Sequence, residues 1–434
     1  MHKLVFLAFL LPLISIAQVE SARKTVEKLC SPEFHGRGYV NGGDSIAAEF
    51  IASEFKAIGC KFYKKNPFQK FQFQVNTFPN QVSALLGEKE LIPGVDFVVT
   101  PNCGSFKNYD MQCFIVKTNT LINKDSLQEF IRRTKKRGVR NYSLAYYPAA
   151  AKGDTAKWVR AQIQELSAQF PIIELFNDKF TWSVEGEQSA LPTVQLQESA
   201  LNGVDKHFNH FVLTLNVDAV LRMHTARNVI AYIPAKKRTK KCFVFSAHYD
   251  HLGRMGQNTY FPGGNDNASG TAMLIELARY FKEHPGDVNI VFMAFAGEEA
   301  GLYGSKHYVD HPLFPLKNIQ FLFNLDIMGS GEDGVTIVNG SVFQEKFDLL
   351  SSINSVQQLV SQVKIRGKAA NSDHYFFSEA GVPAFFMYTM GPNKHYHDVG
   401  DTYENLSFSE FNDIFQLLVD FEETLTAKKG KKTK

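Results

Sequence analysis

Five separate stretches of this chain carry side chains able to hold a metal ion. His248 and Asp250 stand in "AHYDHLG", Asp266 in "GGNDNASG", and Glu298 with Glu299 in "AFAGEEAGLYGS". Asp326 follows in "NLDIMG", then His395 and His397 in "KHYHDVGDT". Two glutamates side by side at the end of an apolar run repel each other and resist desolvation. A divalent cation bound by one of them relieves that repulsion and leaves the other free to take a proton from water. Singly, each residue has an ordinary explanation. Asp266 before a helix would be a cap, Asp326 the start of a turn, and a strand-end histidine merely hydrogen-bonded. Their arrival together at successive strand ends points to a metal centre. Nitrogen and oxygen ligands without thiolate suit zinc, with manganese or cobalt as substitutes. Five segments, each delivering a candidate ligand, offer more than one tetrahedral ion takes. A bridging carboxylate would let two ions sit about 3.5 Å apart.

The elements that must position these residues follow from hydrophobic patterning. From residue 228 onward, apolar runs read as strands at 228–233, 242–247, 288–295, 319–324 and 384–390, with a helix at 270–283. Strands alternating with helices give a mostly parallel sheet flanked by helices, and such sheets place their sites beyond the strands' carboxyl ends. Phe411, Ile414, Phe415, Leu418 and Phe421 form the apolar stripe of a closing helix over 409–426, with Ser407 and Glu410 spaced as a capping box. Residues 44–59 read as another helix ended by Gly59. Between 84 and 221 the texture changes to short β-like pieces (96–100, 112–116, 143–147, 212–217) and one helix near 123–136. The fold class is therefore α/β, a mostly parallel mixed sheet with an inserted β-rich domain.

Bulk composition bounds the function. Of 434 residues, 44% are hydrophobic and 21% charged, and the net charge is +3. That balance gives no support to a nucleic-acid or membrane-surface partner. The N-terminus, "MHKLVFLAFLLPLISIAQ", has a basic residue, a short apolar core and a small-x-small ending. It reads as a signal peptide over 1–17, cleaved after Ala17, and places the mature protein in a periplasm or the medium. Residues 18–83 and 222–427 then form the main domain, and the basic tail 428–434 is a solvated end. In an oxidising compartment Cys103 could pair with Cys113 and Cys30 with Cys60, leaving Cys242 within a strand.

Taken in order, these motifs, with "SDHYFF" and "YHDVGDTYEN", resemble the co-catalytic di-zinc aminopeptidases of the bacterial leucyl type. Glutamate carboxypeptidase and glutaminyl cyclase are related to that family. The segment "HGRGYVNGGDSIAAEFIASEFKAIG" is similar to its entry segment, so the resemblance covers residues 29–59 and 226–406. The middle segment is faintly similar to a protease-associated domain. The resemblance implies the zinc exopeptidase fold and two Zn2+ per chain, one on His248 and Asp326, the other on Glu299 and His397, with Asp266 bridging. It makes Glu298 the general base acting on a metal-bridging water, and later the acid. It also implies a cis peptide after Asp266, Asp250 as the acid orienting a ligand imidazole, and Tyr396 as a donor to the oxyanion. His251 and His395 remain alternative ligands by proximity, and Asp373, His374 and Asp401 are expected to support loops. The implied activity is hydrolysis of N-terminal residues from peptides with a free N-terminus. A glutaminyl cyclase would carry Trp where Tyr396 stands, a carboxypeptidase would want an arginine cluster, and a non-enzymatic relative would lose ligands.

Overall fold

In the computed structural model the described residues are 7–135, 140–202 and 210–427. The tail 428–434 and the last residue of the helix expected near 123–136 lie outside them. The centre of the molecule is a nine-stranded sheet. Its heart is four parallel strands in the spatial order Asn289–Phe295, Cys242–His248, Ile319–Leu325, Ala384–Thr389. They read "NIVFMAF", "CFVFSAH", "IQFLFNL" and "AFFMYT", almost wholly apolar because both faces are covered.

Alternation along each strand divides the core. Phe243, Phe245, Phe292, Phe321, Phe323 and Phe385 face one layer, packed under the helices Gly43–Ile58, Gly270–Glu283 and Phe411–Thr426. Val244, Val291, Met293 and Leu322 face the other, under Tyr308 and Phe377 from the short helices Tyr303–Asp310 and His374–Glu379. Phe421 of the closing helix meets Phe321 and Phe323 edge-on at 5.2 and 5.5 Å. The expected capping box does not form. Phe408 turns the chain at φ 53°, Ser407 bonds to Ser409, and the helix starts at Phe411 without a side-chain cap.

The first helix, Leu7–Cys30, runs through the expected cleavage position and buries Ala22, Val26 and Leu29 in the core. Ser21 donates from it to Glu276 at 2.7 Å. No helix among the described residues is long and apolar enough to cross a membrane.

Strands Phe68–Thr77 and Val220–Ile233 pair antiparallel over ten residues and bracket a second, eight-stranded sheet built from residues 82–217. Four of its strands, Phe106–Ile115, Tyr142–Tyr146, Ile172–Phe176 and Thr193–Gln197, are parallel. Helices Lys124–Lys135 and Gly153–Ser167 cover one face. The second of these helices was not expected, although Val159, Ile163 and Leu166 bury at helical spacing. The other face packs on Leu252, Met255 and Phe261, which flank the candidate site. All five cysteines are buried free thiols, so neither disulfide forms. Burial pushes the thiols of Cys30, Cys60, Cys103 and Cys242 up to about 12.

Candidate metal centre

Because the four central strands are parallel, their carboxyl ends share one edge. His248 closes its own strand, Asp326 follows Leu325, Glu298 and Glu299 follow the strand ending at Phe295, and the strand ending at Thr389 leads to His397. After Cys242–His248 the chain crosses to one neighbouring strand and then to the other, so His248 sits at the switch in strand order where α/β sheets open a crevice. Gly297, at φ 71°, makes the sharp exit that turns both glutamates inward. Asp266 comes from the irregular segment Gly264–Ser269, whose Asp266–Asn267 peptide is cis. The Asn267 side chain donates to Leu325 O and accepts from Ile327 N, tying this segment to the strand end that carries Asp326.

Asp266 stands between two imidazoles. Its Oδ1 lies 3.3 Å from His248 Nε2 and its Oδ2 3.0 Å from His397 Nε2. Asp326 Oδ1 is 3.4 Å from His248 Nε2, and Glu299 Oε2 is 3.2 Å from His397 Nε2. Glu298 offers a further oxygen beside His248 and Asp326. The far nitrogen of each ring meets a backbone carbonyl: His397 Nδ1 meets Trp182 O at 2.8 Å, and His248 Nδ1 meets Asp250 O at 3.2 Å. A carbonyl only accepts, so each Nδ1 carries hydrogen and each Nε2 is left facing carboxylate oxygens. Lone pair against lone pair is repulsive unless a positive charge lies between. Burial works against charging the rings, yet the carboxylates around them override it. His397 is pushed up to about 11, by Glu299 and Asp266, and His248 is raised, by Asp326 and Glu298. Asp326 Oδ1 is buried without a hydrogen-bond partner. Two positions that attract cations and share one carboxylate are what a pair of nitrogen- and oxygen-ligated divalent ions would fill.

The surroundings hold this geometry. The Asp250 carboxylate is 3.9 Å from His248 Nδ1 and spends its hydrogen bonds on the backbone N–H groups of Glu298 and Glu299 and on Tyr39 OH. Both Asp401 oxygens accept backbone hydrogens, from Asn265 and Asp266, at 2.8 and 3.0 Å. Buried Arg37 donates to the carbonyls of Leu29, Tyr249, Pro262, Gly263 and Asp266. His251 lies against Glu299 Oε1 at 2.7 Å rather than among the Nε2 atoms, and His395 against Asp398 at 2.9 Å. At Gly263, φ 59°, a Cβ would overlap the Asp266 carbonyl and the His251 ring. Asp373 is buried near Glu298 and Asp326, and burial pushes its carboxyl up to about 7. Tyr396 stacks on the His397 ring at 4.0 Å. Partial burial, and then the carboxylates behind it, keep its phenol protonated. Arg37, Tyr39 and Trp182 were not singled out from the sequence. The first two lie within the entry segment, whereas Trp182 acts through backbone atoms that leave no mark in a sequence.

Residues 228–421 match the family model described as Peptidase family M28. Aminopeptidase YwaD of Bacillus subtilis is 29% identical over 276 residues, 59% of this chain and 57% of that protein, so the chain spans little more than half of its length. Among solved structures, a zinc aminopeptidase from Bacillus subtilis superposes with TM-score 0.67 at 19% identity, covering 94% of this chain and 96% of that one. An aminopeptidase from Aneurinibacillus sp. strain AM-1 does so with TM-score 0.59 at 20% identity, covering 94% and 93%. At such identities the superpositions show a shared fold. The segment that carries every candidate ligand, residues 228–421, is thus the part of the chain that matches peptidase family M28, and the chain as a whole shares the α/β fold of these solved aminopeptidases.

Proposed function

We propose that the chain is a secreted zinc-dependent aminopeptidase that removes N-terminal residues from peptides. The observation that carries this reading is Asp266, with one oxygen toward each of two inward-facing imidazole nitrogens, and Glu298 beside it. His248 and Asp326 would hold one zinc, Glu299 and His397 the other, and Asp266 both. When bound, zinc supplies Lewis acidity, which acidifies water and polarises a carbonyl. Glu298 takes the proton from the attacking water and returns it to the leaving amine. Tyr396 OH donates to the oxygen on which negative charge develops. Acidic side chains of the pocket hold the substrate's free α-ammonium group, which restricts cleavage to chain ends. Asp250 fixes the backbone of the two glutamates and, through its carbonyl, the His248 ring.

Elemental analysis of purified wild type and Glu298→Gln tests this, together with assays on Leu-, Ala- and Lys-p-nitroanilide and on Gln-β-naphthylamide. About two zincs per chain in both proteins are expected, with wild-type hydrolysis reduced at least 100-fold in Glu298→Gln. Ammonia release from N-terminal Gln without amide hydrolysis would replace this reading by a cyclase. Absence of bound metal would end it. N-terminal sequencing of exported protein is expected to begin at Gln18.

A further inference from the structure

The candidate ligand His397 has the backbone of a glycine. Its φ is 54°, in the left-handed region that residues with a side chain adopt uncommonly, although histidine tolerates it better than most. Such a conformation persists only where its surroundings over-determine it, and here they come from the second sheet. Residues 177–192, a loop between the strands Ile172–Phe176 and Thr193–Gln197, reach across to the turn that carries His397. Trp182 N donates to His397 O at 2.9 Å, and His397 Nδ1 donates to Trp182 O at 2.8 Å, a two-bond clamp on backbone and ring.

The same loop grips the turn a second time. Lys179 Nζ donates to the carbonyls of Lys394 and Tyr396 and reaches Asp398 Oδ2 at 3.0 Å. Asp398, nearly buried, also accepts from His395 Nδ1, Tyr396 N and Gly400 N. The loop is itself anchored. The Trp182 indole donates to Val99 O at 2.7 Å and stacks on Phe261 at 4.6 Å, five residues before Asp266.

Resting on the two-zinc reading above, we propose that Lys179 is a positioning residue of the metal centre. By pinning residues 394–398 it keeps the His397 ring in register with the Trp182 carbonyl, so that Nε2 faces the carboxylates of Glu299 and Asp266, with which it would hold an ion. The second sheet is on this account part of the metal site rather than an appendage. Groups that orient a ligand ring commonly govern metal affinity by 10- to 100-fold.

The full-length protein, stripped of metal and titrated with zinc against a chromophoric chelator, tests this. Wild type is expected to bind two equivalents. Lys179→Met should bind one of them about 10- to 100-fold more weakly, the same one lost in His397→Ala, with the other unchanged. Lys179→Arg, which supplies charge and donors, should restore it, and the thermal midpoint of metal-free Lys179→Met should match wild type. Should Lys179→Met fail to fold, Lys179→Gln is put through the same titration and should show the same selective loss. Two equivalents bound by the Lys179 variants as tightly as by wild type would overturn the positioning role while leaving the aminopeptidase reading intact. Equal weakening of both equivalents with a lowered midpoint would overturn it too, as general loosening. A wild-type protein that takes up no zinc would remove both readings together.

Discussion

Glu298 and Glu299 are neighbours whose environments drive them apart. Both are pushed upward by burial, but His397 and His251 face Glu299 and draw it down to about 2, whereas Glu299, Asp373 and Asp326 crowd Glu298 and hold it well above the usual range. On the proposed reading this difference suits Glu299 to remain an anion and Glu298 to exchange a proton, a division typical of acid–base pairs. Tyr396 is the donor of the proposed mechanism and stacks on His397. Tyr396→Phe keeps the ring stacked on His397 and removes only the hydroxyl. Its kcat is expected to fall about 10- to 100-fold with KM and zinc content little changed, as steady-state kinetics and elemental analysis would report. At this scale the sequence was informative wherever chemistry resides in a side chain that ends an apolar run, as for His248, Glu299 and Asp326. It was silent about Trp182, which meets His397 through its backbone N–H and carbonyl.

Elements were legible in proportion to the purity of their pattern. The helix Gly270–Glu283 and the four central strands fall within a residue or two of expectation, because each is buried on both faces or carries one clean apolar stripe. Gly153–Ser167 escaped notice because Lys, Arg, Gln and Glu outnumber its three buried positions. The closing helix carries a titration of its own. Glu422 is buried, and burial pushes its carboxyl up to about 7 despite a hydrogen bond from Thr426 at 3.0 Å. The folded state therefore holds this proton where the unfolded chain has released it. Stability should decline as pH rises from the ordinary glutamate range to about 7 and level off above. Glu422→Gln should abolish this decline and be more stable than wild type at pH 8, by on the order of 3 kcal/mol. Urea unfolding at pH 5 and pH 8 measures both.

For the whole molecule, the decisive property is that one sheet edge gathers groups far apart in sequence, and a second sheet braces the last of them. Four carboxylates and two imidazoles gathered in one buried pocket favour any cation that fits. Chelation is expected to lower the thermal midpoint by several degrees and zinc to restore it, since ligand at a hundredfold excess over Kd stabilises by about 2.7 kcal/mol. Differential scanning calorimetry with and without chelator would measure it. The interlocking of the two sheets was the least legible part of the fold, because the contacts of Leu252, Met255 and Phe261 join segments with no shared pattern.

The order in which the candidate ligands occur, 248, 266, 299, 326 and 397, also governs when activity can begin. A nascent chain emerging from the ribosome has Asp266 and the adjacent glutamates long before it has His397. Trp182 waits for that histidine through more than two hundred residues of synthesis. On the proposed reading, a chain so arranged has no complete centre until residue 397 has been made and has met Trp182.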